Sequence, residues 1–169
     1  SFDLSGNPNW LTTSDRAEVG STGFGRAVEI LGDSLYTLIE FGDSILFGTE
    51  VIRIPRAPER ATALTVFNRN NGDLLWWLPM TSDEVNDIEI SESDSSIYLT
   101  GASNGITYLG LDTLFDVAGT RAFLSSHRFD GSLKWAEAIT SSDVTNLTAL
   151  SVSVSSDDSV FVSGTFQGT

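Results

Sequence analysis

The chain of 169 residues contains no cysteine. Disulfides and thiolate chemistry are therefore excluded, and the absence is neutral between compartments. Histidine occurs once, at His127, and lysine once, at Lys134. The 9 basic residues face 23 acidic ones, for a net charge of -14. Such a field repels nucleic acid and anionic membrane surfaces. It favours solubility and suits a calcium-rich or saline extracellular setting. No apolar run approaches the ~18 to 20 residues of a membrane-spanning helix. A glycine-rich phosphate loop is also missing. Gly20 to Gly25 reads Gly-Ser-Thr-Gly-Phe-Gly, but neither the following lysine nor the helix of a phosphate site is there. No segment shows a 3.6-residue apolar period, so essentially no helix is expected. Residue 1 is Ser and no signal pattern follows, which reads as a mature or excised piece of something longer.

What is present is a unit that occurs three times. Ser5-Gly6 precedes Trp10, Asn71-Gly72 precedes Trp76, and Asp130-Gly131 precedes Trp135. The glycine-to-glycine spacing is 66 and then 59 residues (6 to 72, 72 to 131). Each time a later apolar strand centres on an aromatic residue: Tyr36, Tyr98 and Phe161. Tandem copies of one supersecondary unit mean a repeat architecture.

The first half of each unit is a hairpin around a Ser-Gly, Asn-Gly or Asp-Gly turn, where glycine tolerates positive φ. After the turn, period-two alternation places Leu74 and Trp76 on one face, with Leu75 and Trp77 on the other. Leu133 and Trp135 are likewise expected inward, with Ser132 and Lys134 outward. The second half is another hairpin: Val28-Glu29-Ile30 to Leu35-Tyr36-Thr37-Leu38, Ile88-Glu89-Ile90 to Ile97-Tyr98-Leu99-Thr100, and Val152-Ser153-Val154 to Val160-Phe161-Val162-Ser163.

Four short antiparallel strands per unit predict an all-β fold of β-propeller-type four-stranded blades in tandem. The expected partition is one partial propeller over 1–169. Blade 1 spans about 1–62 with an incomplete start, blade 2 about 63–121, and blade 3 about 122–169 with an incomplete end. About three blades do not close a ring, since propellers use ~4 to 8. The expected partners are therefore missing blades of a longer parent or other protein chains.

The carrying residues are Phe123 to Trp135 followed by Val160-Phe161-Val162-Ser163-Gly164-Thr165, and Leu64 to Trp76 followed by Ile97-Tyr98-Leu99-Thr100-Gly101. On these the chain resembles the bacterial-type β-propeller repeat, the SBBP family, with the PQQ-like repeats as neighbour. Copy one departs from the pattern, with Glu40 and Phe41 where glycine is expected after Tyr36. The resemblance covers most of the chain. It implies an extracytoplasmic or cell-surface protein and says almost nothing about activity.

The sequence reading of function is a non-catalytic structural or interaction module acting as scaffold or adhesive surface. No catalytic or cofactor-binding residue is assigned. His127 has no nucleophile-elbow motif beside it. The alternatives are a carbohydrate-binding propeller, with Trp77 or Tyr108 lining a groove, and a fragment of a PQQ-like propeller enzyme. Calcium is a candidate ligand at three acidic turns, Asp94 with Glu92, Asp157 with Asp158, and Asp33 with Asp43, although no EF-hand spacing accompanies them. Asn146-Leu147-Thr148 is a glycosylation sequon on Asn146. Arg53, Arg56 and Arg60 gather around Pro55 and Pro58, which reads as an exposed inter-blade connection or a small basic contact patch.

Overall fold

The computed structural model describes residues 1–16, 23–42, 44–53, 61–81, 84–110, 112–140 and 144–168. Among these the chain is all-β, with no helix. Thirteen strands are formed: β1 (Ser14–Arg16), β2 (Gly23–Leu31), β3 (Ser34–Phe41), β4 (Ser44–Phe47), β5 (Glu50–Arg53), β6 (Ala61–Asn68), β7 (Leu74–Thr81), β8 (Glu84–Ser91), β9 (Ser96–Leu109), β10 (Asp112–His127), β11 (Leu133–Ile139), β12 (Val144–Val154) and β13 (Val160–Gly168).

Pairing is antiparallel throughout and falls into two four-stranded meanders. The first runs β2-β3-β6-β7 and the second β8-β9-β10-β11. Among the described residues their hydrogen-bond ladders join only at the short pairing of Met80 with Leu109 and Thr81 with Tyr108, where the sheet curls over. β12 and β13 form a separate two-stranded hairpin, and β1-β4-β5 a small sheet. Hydrogen bonding thus groups the second hairpin of one sequence unit with the first hairpin of the next, out of phase with partitions at 62 and 121. The reason is local: the short 91–96 turn ties β8 to β9, and β9 continues directly into β10.

The curled sheet encloses one core to which both meanders contribute. Tyr36, Leu38, Leu64, Val66 and Met80 of the first share one core with Ile88, Ile97, Leu99 and Phe123 of the second. Their first strands, β2 and β8, lie against each other, and β12 lies against β8 in turn. The opposite face of the first meander packs Leu35, Ile39 and Phe67 on Ile45, Phe47 and Ile52 of β4 and β5.

One alternation expected from sequence is corrected. Leu74 and Trp76 do not share a face, because the register slips between Val66 and Phe67 and leaves Leu75 without a partner. A one-residue bulge inverts the parity beyond it. Trp76 therefore enters the core between the meanders, while Leu74 joins Trp77 on the other side. The same slip between Ser126 and His127 skips Lys134 and separates Leu133 from Trp135. Lys134, expected outward, is half-buried, whereas Trp135 is 40% exposed.

A second bulge repeats in the other hairpins, at Gly25/Ala27, Val85/Asp87 and Ala149/Ser151. At this point a Cβ on Gly101 would lie 2.0 Å from the Glu84 carbonyl oxygen, and one on Gly164 2.1 Å from that of Thr148. Only glycine permits such an approach. In copy one, where Ile39 occupies the equivalent place, its partner across the ladder is Gly25.

Candidate interaction site

The three motif glycines have φ of +83° (Gly6), +79° (Gly72) and +85° (Gly131). L side chains are disfavoured there. The Gly72 and Gly131 turns also present a bare backbone to the tryptophan of the preceding unit, whereas Gly6 has nothing within 4 Å. A Cβ on Gly72 would fall 2.7 Å from the Trp10 ring, and one on Gly131 would fall 3.1 Å from the Trp76 ring. Trp10 Nε1 further donates to the Arg69 carbonyl at 2.7 Å, and Thr12 Oγ1 to the Gly72 carbonyl at 2.9 Å. The Trp-on-Gly contact thus occurs twice between consecutive units.

An aromatic partner completes the arrangement. Tyr36 meets Trp76 edge-on, ring centroids 6.4 Å apart, and Tyr98 meets Trp135 at 6.0 Å. Edge and tilted geometries let the positive ring edge approach the negative ring face. Around Trp76 the set is complete: Tyr36 beside it and Gly131 over it. Trp135 has Tyr98 but no glycine turn over it among the described residues.

Exposed apolar side chains lie on β2 and on β13. Phe24, Val28 and Ile30 of β2 are 54%, 57% and 54% exposed. Their counterparts Ile88 and Ile90 on β8 pack into the core between the meanders. Phe161 of β13 is 62% exposed, and its counterparts Tyr36 and Tyr98 are buried. Apolar rows of this kind are costly to leave in water and mark contact surfaces.

Polar contacts set the spacing between the second meander and the last hairpin. Asn86 Nδ2 donates to the Ala149 carbonyl at 2.9 Å. Asp87 Oδ2 accepts from Ser151 Oγ at 2.7 Å and from the Val152 amide at 3.0 Å. Next to them Glu89 is held above the usual carboxylate range, by burial first and then by the nearby charges of Glu29 and Asp87. Glu29, Asp87 and Glu89 thus form a row of carboxylates along the first strands, in which burial and like charge disfavour the charged form of Glu89.

His127 is fully buried within β10. Its Nδ1 lies 3.2 Å from the Gly131 carbonyl and its Nε2 3.1 Å from Ser125 Oγ. A carbonyl only accepts, so Nδ1 donates, and in the neutral ring Nε2 accepts a hydrogen bond from the Ser125 hydroxyl. The imidazole ties down the turn that faces Trp76. Ser125 is equally buried, which leaves a substrate no approach to the pair.

The described acidic turns are held by internal hydrogen bonds, with Asp94 Oδ1 alone among their oxygens buried without a partner. Asp94 Oδ2 accepts from Tyr98 Oη at 2.8 Å, and Lys134 Nζ donates to the Asp94 carbonyl at 2.7 Å. Burial pushes the Asp94 carboxyl up, but Tyr98, Ser96, Ser91 and Lys134 together bring it below its ordinary value. Asp157 accepts from Ser155 and Ser159, which lower it, and Asp158 accepts from Ser93. Asp33 accepts from Asn70 Nδ2 at 3.2 Å. Asp43, Arg56, Arg60 and Gly20 lie outside the described residues. Among the described residues no three His, Asp or Glu side chains gather as a metal site would require. Asn146 is exposed on β12, its Nδ2 3.1 Å from Gln167 Oε1.

A cleft of about 730 Å³ opens between the β4–β5 turn and the Gly72 turn, lined in part by Glu50, Asp73, Leu75, Trp76 and Trp77. Trp77 reaches it from the face opposite Trp76. Tyr108 lies elsewhere, paired with Thr81 where the sheet curls. Sequence reasoning located the tryptophans and glycines but missed their contact, because the partners stand about 60 residues apart. The signal was present in the equal spacing of the two residue types.

No protein-family profile, curated protein or solved structure matches the chain. No helix among the described residues is long and apolar enough to cross a membrane.

Proposed function

We propose that the chain is a non-catalytic structural and interaction module of a larger extracellular or cell-surface β-propeller protein, akin to the bacterial-type repeats. In this reading the two meanders are successive four-stranded blades, and β12–β13 begins a third. The module serves as a scaffold or adhesive surface, and its partners are protein surfaces that continue the stack. The single observation that carries the reading is the Trp-on-Gly contact, made by Trp10 and Trp76 and left open at Trp135. An interaction used twice within the chain and unfilled a third time marks where the next layer sits.

Bead adhesion tests this. Beads coated with the protein should bind surfaces coated with cell-surface proteins better than surfaces coated with blocking protein alone. Trp135→Ser should reduce that binding. Adhesion to no surface, or adhesion indifferent to Trp135→Ser, refutes the reading.

One observation favours a second reading, carbohydrate binding. The 730 Å³ cleft joins an indole face at Trp77 to the carboxylates of Glu50 and Asp73. Aromatic faces stack on sugar rings, and carboxylates accept from their hydroxyls. Hits on a glycan array that vanish in Trp77→Ala would establish it; an array without hits removes it.

A further inference from the structure

The repeated aromatic pair has two unmatched halves. Among the described residues Trp76 has Tyr36 and Trp135 has Tyr98, but Trp10 has no such aromatic partner. Phe161, at the position of Tyr36 and Tyr98, has no tryptophan. The place where a partner of Trp10 would lie is an open slot of about 770 Å³, lined in part by Phe2, Trp10, Ile30, Leu35, Arg69 and Asn70. The equivalent residues one unit later are Trp76, Ile90 and Ile97, which share one core with Tyr36. Tyr36 thus supplies, inside the chain, the side chain that this slot lacks.

We propose that the slot is filled by Phe161 of a second copy of this chain, in a head-to-tail contact. This rests on the reading of the meanders as stacked blades. The internal contact between the meanders is its template. There β2–β3 presents Ala27, Leu31, Tyr36 and Leu38 to Ile88, Ile90 and Ile97. In the contact between copies, β12–β13 of one chain presents Phe161 to Val28, Ile30 and Leu35 of the other. Phe2 stands at the place of His127, which pairs with Ile97 across β9 and β10. The first residues of one copy therefore meet the start of β13, near Val160, in the other. Such a contact is heterologous: it uses different surfaces on the two copies, and it extends unless the rotation closes a ring. Each copy carries a net charge of -14, so repulsion opposes the contact and salt strengthens it by screening.

Analytical ultracentrifugation across a concentration series at low and high salt tests the contact, with variants at each end. Phe161 and Ile30 are both exposed, so Phe161→Asp and Ile30→Asp are expected to fold as the parent does, checked by circular dichroism. Phe161→Ser and Val28→Asp serve if either does not. The parent chain should associate with rising concentration, more strongly at high salt. Each variant alone should weaken self-association about tenfold or more. The two variants mixed should form a one-to-one pair that grows no further, since one retains a working slot and the other a working Phe161. A parent chain that stays monomeric at every concentration and salt overturns the inference. So does a parent whose self-association survives either variant, or a mixture that fails to pair. If the chain stays monomeric while coated beads still adhere to other proteins, this inference falls and the interaction module stands. If the beads fail as well, both fall.

Discussion

Trp76 and Trp135 are the same residue of the repeat in two states of completion, and truncating each to alanine measures what completion contributes. Replacing a buried aromatic by alanine costs about 3–5 kcal/mol, through lost transfer energy and the cavity left behind. Trp76 is half-buried, edge-on to Tyr36 and against Gly131. A loss of about 2–3 kcal/mol is expected. Trp135 is 40% exposed, with Tyr98 tilted beside it and no glycine turn over it among the described residues. Its aromatic pair is worth about 0.5–1.5 kcal/mol, and truncation should cost about 1 kcal/mol. Urea unfolding resolves the difference, since slopes near 1–3 kcal/mol/M turn it into a displaced midpoint. The slope itself should not change, because neither residue alters how much chain unfolds. Equal costs within about 0.5 kcal/mol would refute the argument that the glycine turn of the following unit stabilises the tryptophan before it.

The glycine bulges and the carboxylate row give two further predictions. Gly101→Ala places a methyl 2.0 Å from the Glu84 carbonyl oxygen and must separate β8 from β9, at a cost of about 3 kcal/mol or more. Gly25→Ala meets nothing within 4 Å, so thermal melts should show it neutral or stabilising by about 0.5 kcal/mol. Glu89 has its folded pKa above its unfolded one, so the folded state binds the extra proton. Stability from this group is present in acid and lost as pH rises through the window above the ordinary carboxylate value. Glu89→Gln should therefore raise Tm at neutral pH and change it little in acid. A stabilisation that is the same at both pH values would show that the carboxylate row is not its source.

Much of the local structure was legible from residue types. Asn-Gly and Asp-Gly between apolar stretches specify a turn, because positive φ excludes most side chains, and Gly72 and Gly131 adopt it. The alternation in Leu35 to Leu38 and Ile97 to Thr100 specifies strands, and strands form there. What alternation could not report was a bulge. Leu75 and Lys134 each occupy one extra position, and every side chain beyond them changes face. Nothing in the identity of leucine or lysine announces that slip. It follows from a hydrogen-bond register shared with a strand elsewhere in the chain. Glu40 shows the same limit from the other side. Sequence spacing set Glu40 and Phe41 at the place of a glycine, but the ladder puts Ile39 there, opposite Gly25, and buries Glu40 with Arg26 Nε donating to it at 2.7 Å.

By itself, then, the sequence determined that the chain forms short strands and tight turns in three similar units, because φ preferences and period-two alternation act within a few residues. Which strands share a ladder, which face each tryptophan takes, and that the glycine of one unit covers the tryptophan of the last were decided only in three dimensions. Those outcomes depend on surfaces some 60 residues apart being brought together, and no local pattern encodes the register in which they meet.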